Sequence, residues 1–297
     1  MNLGVTMRNT RFKIAKDDII ELFENHSQKT FSNSNIGTIL NTNRRFWRLS
    51  ESLTNGKFIQ LLLDHTKLVK HELQFPKEKI ILYSWSDISA FELALSIKKE
   101  SYLTHYTALF LHNLTEQIPK TIYVNLEQPE KPKPKSPLSQ ENINRAFSRP
   151  QRVSKNIAIL GDYKICRLNG KSTNKLGVIN INGSQGETLL VTDIERTLTD
   201  SVVRTAYSGG VFEVLNAFIR AKDKVSINKL TAMLKQLDYV YPYHQAIGLY
   251  LERSGVYKDS QIRLLNKSDI KYDFYLTHQM KETEYSKEWK LYYPKGF

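Results

Sequence analysis

The residues best suited to bind a ligand in this sequence are arginines. Arg44, Arg45 and Arg48 lie close together in the chain and flank Phe46 and Trp47. A guanidinium group binds phosphate through a planar set of donors and recognises the guanine edge through two parallel hydrogen bonds. The cluster therefore predicts contact with duplex DNA. The alternative interpretation is a solvated loop whose aromatic side chains pack inward.

Several lysines follow the arginine cluster along the chain. Lys57 lies in a segment whose apolar spacing predicts a helix, and a predicted hairpin carries Lys67, Lys70, Lys77 and Lys79. Cations in such places bind phosphates, which position a protein on DNA without reading the base sequence. A hairpin that is charged and merely solvated is the alternative.

A second basic group follows a proline-rich stretch. It consists of Arg145, Arg149, Arg152 and Lys155. Arg145 and Arg149 are one helical turn apart, so a continuous helix would place them on one face. The group predicts a second nucleic-acid surface, with a soluble connector as the alternative.

One acidic pair has the residue types that metal-dependent enzymes use. Gly183–Ser184 followed by Asp193 and Glu195 is similar to a nucleotidyltransferase motif, in which two acids hold two divalent metals. In that motif the glycine and serine begin a helix and the acids lie on the next strand. Here a strand-like run precedes the acids, and Asp193 occupies the place of a helix N-cap. We therefore expect a structural role for this pair.

A second set of residues would suit a nuclease. Asp162, Lys164 and Glu187 lie on or between strand-like runs, where such residues are common for structural reasons. The sequence thus predicts no catalytic residue, no metal and no cofactor. A nucleic-acid-processing enzyme of nuclease type, using C-terminal carboxylates, remains the alternative.

The histidines and the lone cysteine do not form a metal-binding pattern. His105 and His112 are seven residues apart, which is not the spacing of a chelating pair on a helix, and we expect structural hydrogen bonds from both. His244 is predicted to lie at the start of a helix. Cys166 lies in a strand-like run and is expected to be a small buried apolar residue. A single thiol makes no internal disulfide, which fits a reducing cytoplasm.

Composition favours a polyanionic partner. The chain has 297 residues and a formal net charge of +13. Residues 1–85 carry 13 basic against 8 acidic side chains and residues 120–175 carry 12 against 4, whereas residues 176–297 are nearly balanced. The sequence contains no apolar run of about 18 residues and no signal-peptide core at its start, so we expect no membrane association.

The N-terminal third has the element order of a winged helix-turn-helix. Amphipathic and alternating patterns predict a helix at 16–26, opened by Asp17 and Asp18, and a helix capped by Ser32 or Ser34. The remaining elements are a short strand at 30–31, a helix at 52–65, and two strands at 67–75 and 79–85. This pattern predicts a DNA-binding domain at 1–86.

The pattern of residues 87–297 predicts a mixed α/β region followed by helices and a tail. We expect an exposed connector at 128–137 and a strand-rich tail after 260. The predicted strands lie at 121–126, 157–160, 163–169, 177–181 and 188–192. The predicted helices lie at 89–98, 104–112, 193–205, 209–221, 226–237 and 243–254, with a further short helix that has a basic end before residue 155. The fold class is therefore α+β, with a second domain at 87–297.

Three segments together resemble the AbiEi family of bacterial antitoxins, which are regulators of phage-defence operons. The segments are YLTHYTALFLHNLTEQIPKTIYVN at 102–125, VTDIERTLTDSVVRTAYSGGVFEVLNAF at 191–218 and YPYHQAIGLYLERSG at 241–255. With the N-terminal module they span nearly the whole chain. The connector at 128–137 and the aromatic tail depart from the family pattern.

The resemblance implies a division of labour within a type IV toxin–antitoxin system. The N-terminal domain would bind double-stranded DNA at its own promoter and repress its own operon. The C-terminal domain would oppose a co-encoded nucleotidyltransferase toxin, without requiring a stable complex with it.

Overall fold

The computed structural model describes residues 3–130, 132, 137–266 and 270–297, with side chains from Arg11 onward. It divides into two compact units. The first takes in the chain as far as Lys99 together with Ala158–Asp162, and the second takes in Glu100–Ile157 and Tyr163–Phe297. The functional boundary predicted at residue 86 stays a prediction.

The first unit contains three helices and a three-stranded antiparallel sheet, followed by a short helix. The strand order is β1-β3-β2. Its elements are α1 (Leu3–Asn25), β1 (Thr30–Phe31), α2 (Asn33–Asn43), α3 (Asn55–His65), β2 (Leu68–Gln74), β3 (Lys79–Trp85) and α4 (Ala90–Ser96). The predicted helices, short strand and hairpin of this region are confirmed as elements.

The predicted start of the first helix is wrong. Helix α1 begins at Leu3, so Asp17 and Asp18 lie inside the helix and not in its first turn. The reason is that Phe12 and Ala15 are buried and continue the apolar stripe of Ile19 toward the N-terminus.

Short polar residues begin the next two helices. Ser32 caps α2 by accepting a hydrogen bond from the backbone N–H of Asn35, and the Asn35 side chain returns one to the Ser32 backbone, which completes a capping box. Thr54 caps α3 in the same way through the N–H of Lys57, so this helix begins at Asn55 and not at the predicted residue 52.

A larger mixed sheet supplies most of the strands of the second unit. Its strand order is β6-β7-β5-β4-β9-β8. The strands are β4 (Tyr102–Leu103), β5 (Thr121–Glu127), β6 (Ile157–Leu160), β7 (Tyr163–Gly170), β8 (Val178–Asn182) and β9 (Thr188–Thr192). All of these except β4 are predicted from the sequence. At two residues, β4 is too short to show an alternating pattern, yet it pairs with β5 and β9 and joins the two halves of the sheet.

Helices pack together beside this sheet around one apolar core. They are α5 (His105–Leu111), α6 (Gln140–Phe147), α7 (Ile194–Val203), α8 (Val211–Arg220), α9 (Ile227–Leu237), α10 (Tyr243–Ser254) and α11 (Asp259–Asn266). Local signals place the starts of α7, α8 and α9 within about two residues of the prediction. Asp193 caps α7, Ser226 caps α9, and Gly210, with a φ of 90°, precedes α8 in a backbone conformation that favours glycine.

The tail forms a small sheet against the same core. Its strands β10 (Phe274–Tyr275), β11 (Thr283–Ser286) and β12 (Leu291–Pro294) have the order β10-β12-β11. Trp289 is fully buried, and its ring lies against the backbone of Gly248 in α10. The strands of the predicted tail are confirmed, but its first residues form helix α11, which the sequence did not predict.

The architecture is mixed, as the α+β prediction requires. Among the described residues, no helix is long and apolar enough to cross a bilayer. Three lysines of the predicted connector, Lys131, Lys133 and Lys135, lie outside the described residues.

Candidate nucleic-acid interface

The solvent-facing side of α2 is polar and carries no charge. No acidic residue occurs between Glu24 and Glu51 in the sequence. The exposed side chains of α2 are amides and hydroxyls, namely Asn33, Ser34, Asn35, Thr38, Asn41 and Thr42. Such groups can approach a phosphate backbone or base edges without repelling them. This surface can therefore face a polyanion.

The segment between α2 and α3 is an ordered turn. The backbone N–H of Trp47 donates to the carbonyl of Asn43 at 2.9 Å, and that of Leu49 donates to the carbonyl of Arg44 at 3.0 Å. The Trp47 side chain is buried and stacks on Phe58 of α3, with 5.9 Å between ring centroids. The turn is thus tied to the core of its unit.

Arg44 is turned into this loop, and its side chain is only 12% exposed. Its guanidinium donates to the carbonyl of Ser50 at 2.6 Å and to that of Leu53 at 3.1 Å. A weaker contact of 3.4 Å reaches the Asn41 side chain. These bonds occupy donors that a phosphate or a guanine would need. The geometry therefore supports a loop-building role for Arg44, in place of the predicted DNA contact.

Arg45 and Arg48 point away from the core. Both side chains are exposed, and Phe46 between them is 73% exposed. Within the described part of the chain, no carboxylate forms an ion pair with either arginine. The two remaining members of the predicted cluster therefore present their charges to solvent.

The exposed face of α3 carries an acidic residue beside the lysine that was predicted to bind phosphate. Lys57 is exposed near the start of the helix. Gln60 donates a hydrogen bond to Asp64 at 2.8 Å, so one acidic side chain shares this face. Lys57 can meet DNA phosphates, whereas Asp64 holds the Gln60 amide and would repel a phosphate.

Three of the four hairpin lysines are paired with acids, and the fourth, Lys77, is exposed. Glu72 accepts from Lys70 at 2.6 Å and from Lys79 at 2.5 Å, and Lys67 pairs with Glu24 at 2.8 Å. The hydrogen bond from Lys70, followed by that from Lys79, lowers the pKa of Glu72 to about 2. The hydrogen bond to Glu72 in turn raises the pKa of Lys70. The hairpin therefore presents less net positive charge than its lysines suggest.

The second basic group does not form a shared helical face. Helix α6 ends at Phe147, so Arg149 lies beyond it, and the predicted common face with Arg145 is wrong. The apolar Phe147 is buried and followed by Pro150, which stops the helix. Arg145, Arg149, Arg152 and Lys155 are all exposed. The carbonyl of Arg152 accepts a bond from the Arg204 guanidinium at 3.2 Å.

The segments at 102–125 and 191–218 meet in a buried polar network. Arg196 of α7 donates to Asp200 at 2.9 Å, and both side chains are less than a tenth exposed. Asp200 also accepts from Thr104 and from Tyr239, each at 3.3 Å. Arg196 further donates to the carbonyl of Leu176 at 2.8 Å. Because these groups satisfy one another, the network joins α7 to the end of the central strand β4.

The acidic pair that is similar to the nucleotidyltransferase motif shares one lysine as its ionic partner among the described residues. Lys229 of α9 lies 2.9 Å from both Asp193 and Glu195. Asp193 also caps α7, as predicted from the sequence. Glu195 pairs with Lys229 and accepts from the backbone N–H of Ser226, whereas the neighbouring Arg196 pairs with Asp200.

Asp162, Lys164 and Glu187, the residues that would suit a nuclease, are not arranged as a catalytic site in the structure. The Glu187 carboxylate accepts from the N–H of Gln185 within the β8–β9 turn, at 2.8 Å. Asp162 and Lys164 are exposed. In the described ranges, no group of three or more His, Cys, Asp and Glu side chains is arranged to hold a metal ion.

The two histidines of the signature segment differ in environment. His112 ends α5, and its Nε2 bonds the carbonyl of Thr192 at 2.6 Å, the structural role that was predicted. His105 is buried beside Tyr123 and Tyr207, with a left-handed φ of 52°, and its Nδ1 has no hydrogen-bond partner among the described residues, so that nitrogen does not make the predicted structural bond. Burial lowers the pKa of His105 to about 4. Cys166 is buried, as expected, and burial raises the pKa of its thiol to about 11.

Sequence reasoning missed Phe46 as an exposed residue and Glu72 as the partner of two lysines. No local signal was available for the first, because a turn has no periodicity that separates Phe46 from Trp47. The alternation of Lys70 and Glu72 on one strand face was available for the second. The Arg196–Asp200 pair also has the four-residue spacing of helical ion pairs.

Comparison with known proteins gives the fold and nothing finer. No family model matches this chain, and no curated protein matches it. The chain is similar to the crystal structure of RV2827C protein from Mycobacterium tuberculosis, with a TM-score of 0.60 and 14% sequence identity over 94% of this chain and 90% of that chain. At that identity the likeness shows a shared fold alone.

Proposed function

We propose that this protein is a DNA-binding antitoxin that also represses its own operon in a type IV phage-defence system. The observation that carries the DNA-binding part is the acid-free surface of α2 and the following turn, from which Arg45 and Arg48 project without ionic partners among the described residues. The antitoxin part rests on the resemblance to AbiEi proteins.

The first unit is proposed to act as a winged helix-turn-helix. Helices α2 and α3 follow β1, and the β2–β3 hairpin follows them, with β1 pairing to β3 at the sheet edge. In such modules a helix enters the major groove and the hairpin contacts the backbone. We assign phosphate contacts to Arg45, Arg48, Lys57 and the hairpin lysines.

The second unit is proposed to oppose the toxin. Two of the three segments that resemble the family meet in the Arg196–Asp200–Thr104 network, which ties helix α7 to the start of α5. The functional partner would be a nucleotidyltransferase toxin encoded beside this chain, and a stable complex is not required. A protein of this kind works in the cytoplasm, where Cys166 stays reduced.

An enzyme of nuclease type is the competing function. It would need the carboxylates of the second unit to be available to a metal ion. Lys229 bridges Asp193 and Glu195, and Glu187 is bonded to its own turn, so the geometry favours the regulator.

A retardation assay with the full-length chain tests the DNA-binding proposal. The probe is the duplex upstream of the chain's own gene, and an unrelated duplex of equal length is the competitor. We expect binding that weakens steeply with salt and resists the competitor. Equal affinity for both duplexes would remove the regulator function. Metal-dependent cleavage that disappears in Glu195→Ala would favour the enzyme.

Full-chain variants separate the two activities. The double variant Arg45→Ala/Arg48→Ala should lose operator binding but still protect cells that express the toxin. A nucleotidyltransferase gene immediately beside this one would supply the toxin for that assay. Loss of protection in the double variant, with the protein still folded, would contradict the proposed division between the two units.

A further inference from the structure

Phe46 is a large apolar side chain left in water beside two cations. Its side chain is 73% exposed, while Arg45 and Arg48 on either side are exposed as well. Single exposed apolar residues are ordinary on protein surfaces, so exposure alone carries no conclusion. The setting of this phenylalanine supplies the argument.

The turn holds Phe46 outward. The neighbouring Trp47 is buried at 3% exposure and stacks on Phe58, so the chain cannot rotate to exchange the two rings without opening the core. The Arg44 guanidinium ties the turn to the carbonyls of Ser50 and Leu53. Phe46 is therefore presented by a preorganised loop, which reduces the entropy cost of using it in a contact.

The charges around Phe46 select the kind of partner. The stretch from 25 to 50 contains no acid, and Arg45 and Arg48 have no ionic partner among the described residues. A protein surface that covered this ring would have to neutralise both guanidiniums. Duplex DNA does so with successive phosphates and offers the apolar carbons of deoxyribose between them.

We propose that Phe46 is a DNA-contact residue whose ring packs on the deoxyribose carbons between two phosphates bound by Arg45 and Arg48. The inference rests on the proposed DNA-binding function and adds an apolar contact to it. The contact contributes affinity without releasing counterions, so it differs in kind from the contacts of the flanking arginines.

Salt titration of full-length variants tests this contact. The probe is the duplex upstream of the chain's own gene, and affinity is measured at several salt concentrations. Phe46→Ala should weaken binding about tenfold at every salt concentration, leaving the slope of log affinity against log salt unchanged. Arg45→Ala should lower that slope by about 0.9. Phe46→Leu should keep most of the affinity, because it retains much of the apolar area.

Ile14→Ala is the matched control, since Ile14 of α1 is 77% exposed and lies in the same unit. We expect it to bind as the natural chain does. Unchanged affinity in a folded Phe46→Ala variant, while the natural chain binds, would overturn the Phe46 contact alone. If Phe46→Ala instead lowered the sedimenting mass of the protein and left its DNA affinity unchanged, the ring would contact a second copy of this chain, and the proposed DNA contact would be overturned. Failure of the natural chain to bind the duplex would overturn the DNA-binding function and this contact with it.

Discussion

Arg44 and Arg45 are adjacent in sequence, but the structure predicts opposite consequences when each is changed to alanine. Arg44 points into the α2–α3 turn with a side chain 12% exposed, whereas Arg45 is exposed. Removal of the first should destabilise the protein. Removal of the second should leave stability intact and weaken binding to DNA.

The size of the Arg44 effect follows from its hydrogen bonds. The guanidinium donates to the carbonyls of Ser50 and Leu53, at 2.6 and 3.1 Å. A hydrogen bond to a charged group contributes about 1.5–3 kcal/mol, and because Ser50 is only partly buried, we expect water to replace part of the loss in the variant. We therefore expect Arg44→Ala to lower the free energy of unfolding by about 2–4 kcal/mol. The change for Arg45→Ala should stay within about 0.5 kcal/mol.

Urea denaturation followed by tryptophan fluorescence measures the stability difference. Trp47 and Trp85 are both buried in the first unit and report on it. Arg44→Lys provides a second variant, because it keeps the positive charge but loses the planar pair of donors. It should be destabilised nearly as much as Arg44→Ala, while its DNA affinity in stabilising conditions stays close to that of the natural chain.

One outcome would refute this reasoning about Arg44. If Arg44→Ala is as stable as the natural chain and lowers the salt slope of DNA binding by about 0.9, then Arg44 contacts a phosphate. The inward hydrogen bonds would then be incidental, and the arginine cluster would act as a triad.

Three further predictions concern the second unit. Asp200→Ala should cost about 3–5 kcal/mol by leaving the buried Arg196 unpaired, and a cost below about 1 kcal/mol would contradict the pairing. Because burial holds the pKa of His105 at about 4 against 6.5 when exposed, the unfolded chain binds a proton that the folded one excludes. The contribution of neutral His105 to the free energy of unfolding is therefore complete above about pH 6.5 and is lost toward pH 4, a change of about 3 kcal/mol. The variant His105→Asn tolerates the left-handed backbone and does not titrate in this range. Urea unfolding at several pH values should show a weaker pH dependence for this variant. Gly248→Ala should lower the melting temperature strongly, because its methyl group would enter the ring of Trp289; an unchanged melting temperature would show that the ring can move.

Local patterns in the sequence determined most of the secondary structure. The apolar spacing of α3 and the alternation in β2 and β3 predict these elements within three residues of their observed bounds. Capping groups act within one turn of the chain, which is why Asp193 and Ser226 marked helix starts correctly. The two-residue strand β4 shows the limit, because so short a strand has no period and depends on its neighbours for pairing.

Only the tertiary structure decided which side chains of the candidate interface are available. A turn has no periodicity, so the sequence of residues 44–48 cannot tell whether Phe46 or Trp47 is buried, or that Arg44 bonds the loop while Arg45 is exposed. The core around Phe58 accepts one ring and leaves the other outside. Ion pairs between distant segments, such as Lys67 with Glu24, form only once the chain has folded. Composition therefore determined the sign of the charge on this protein, and long-range packing determined which charges face a partner.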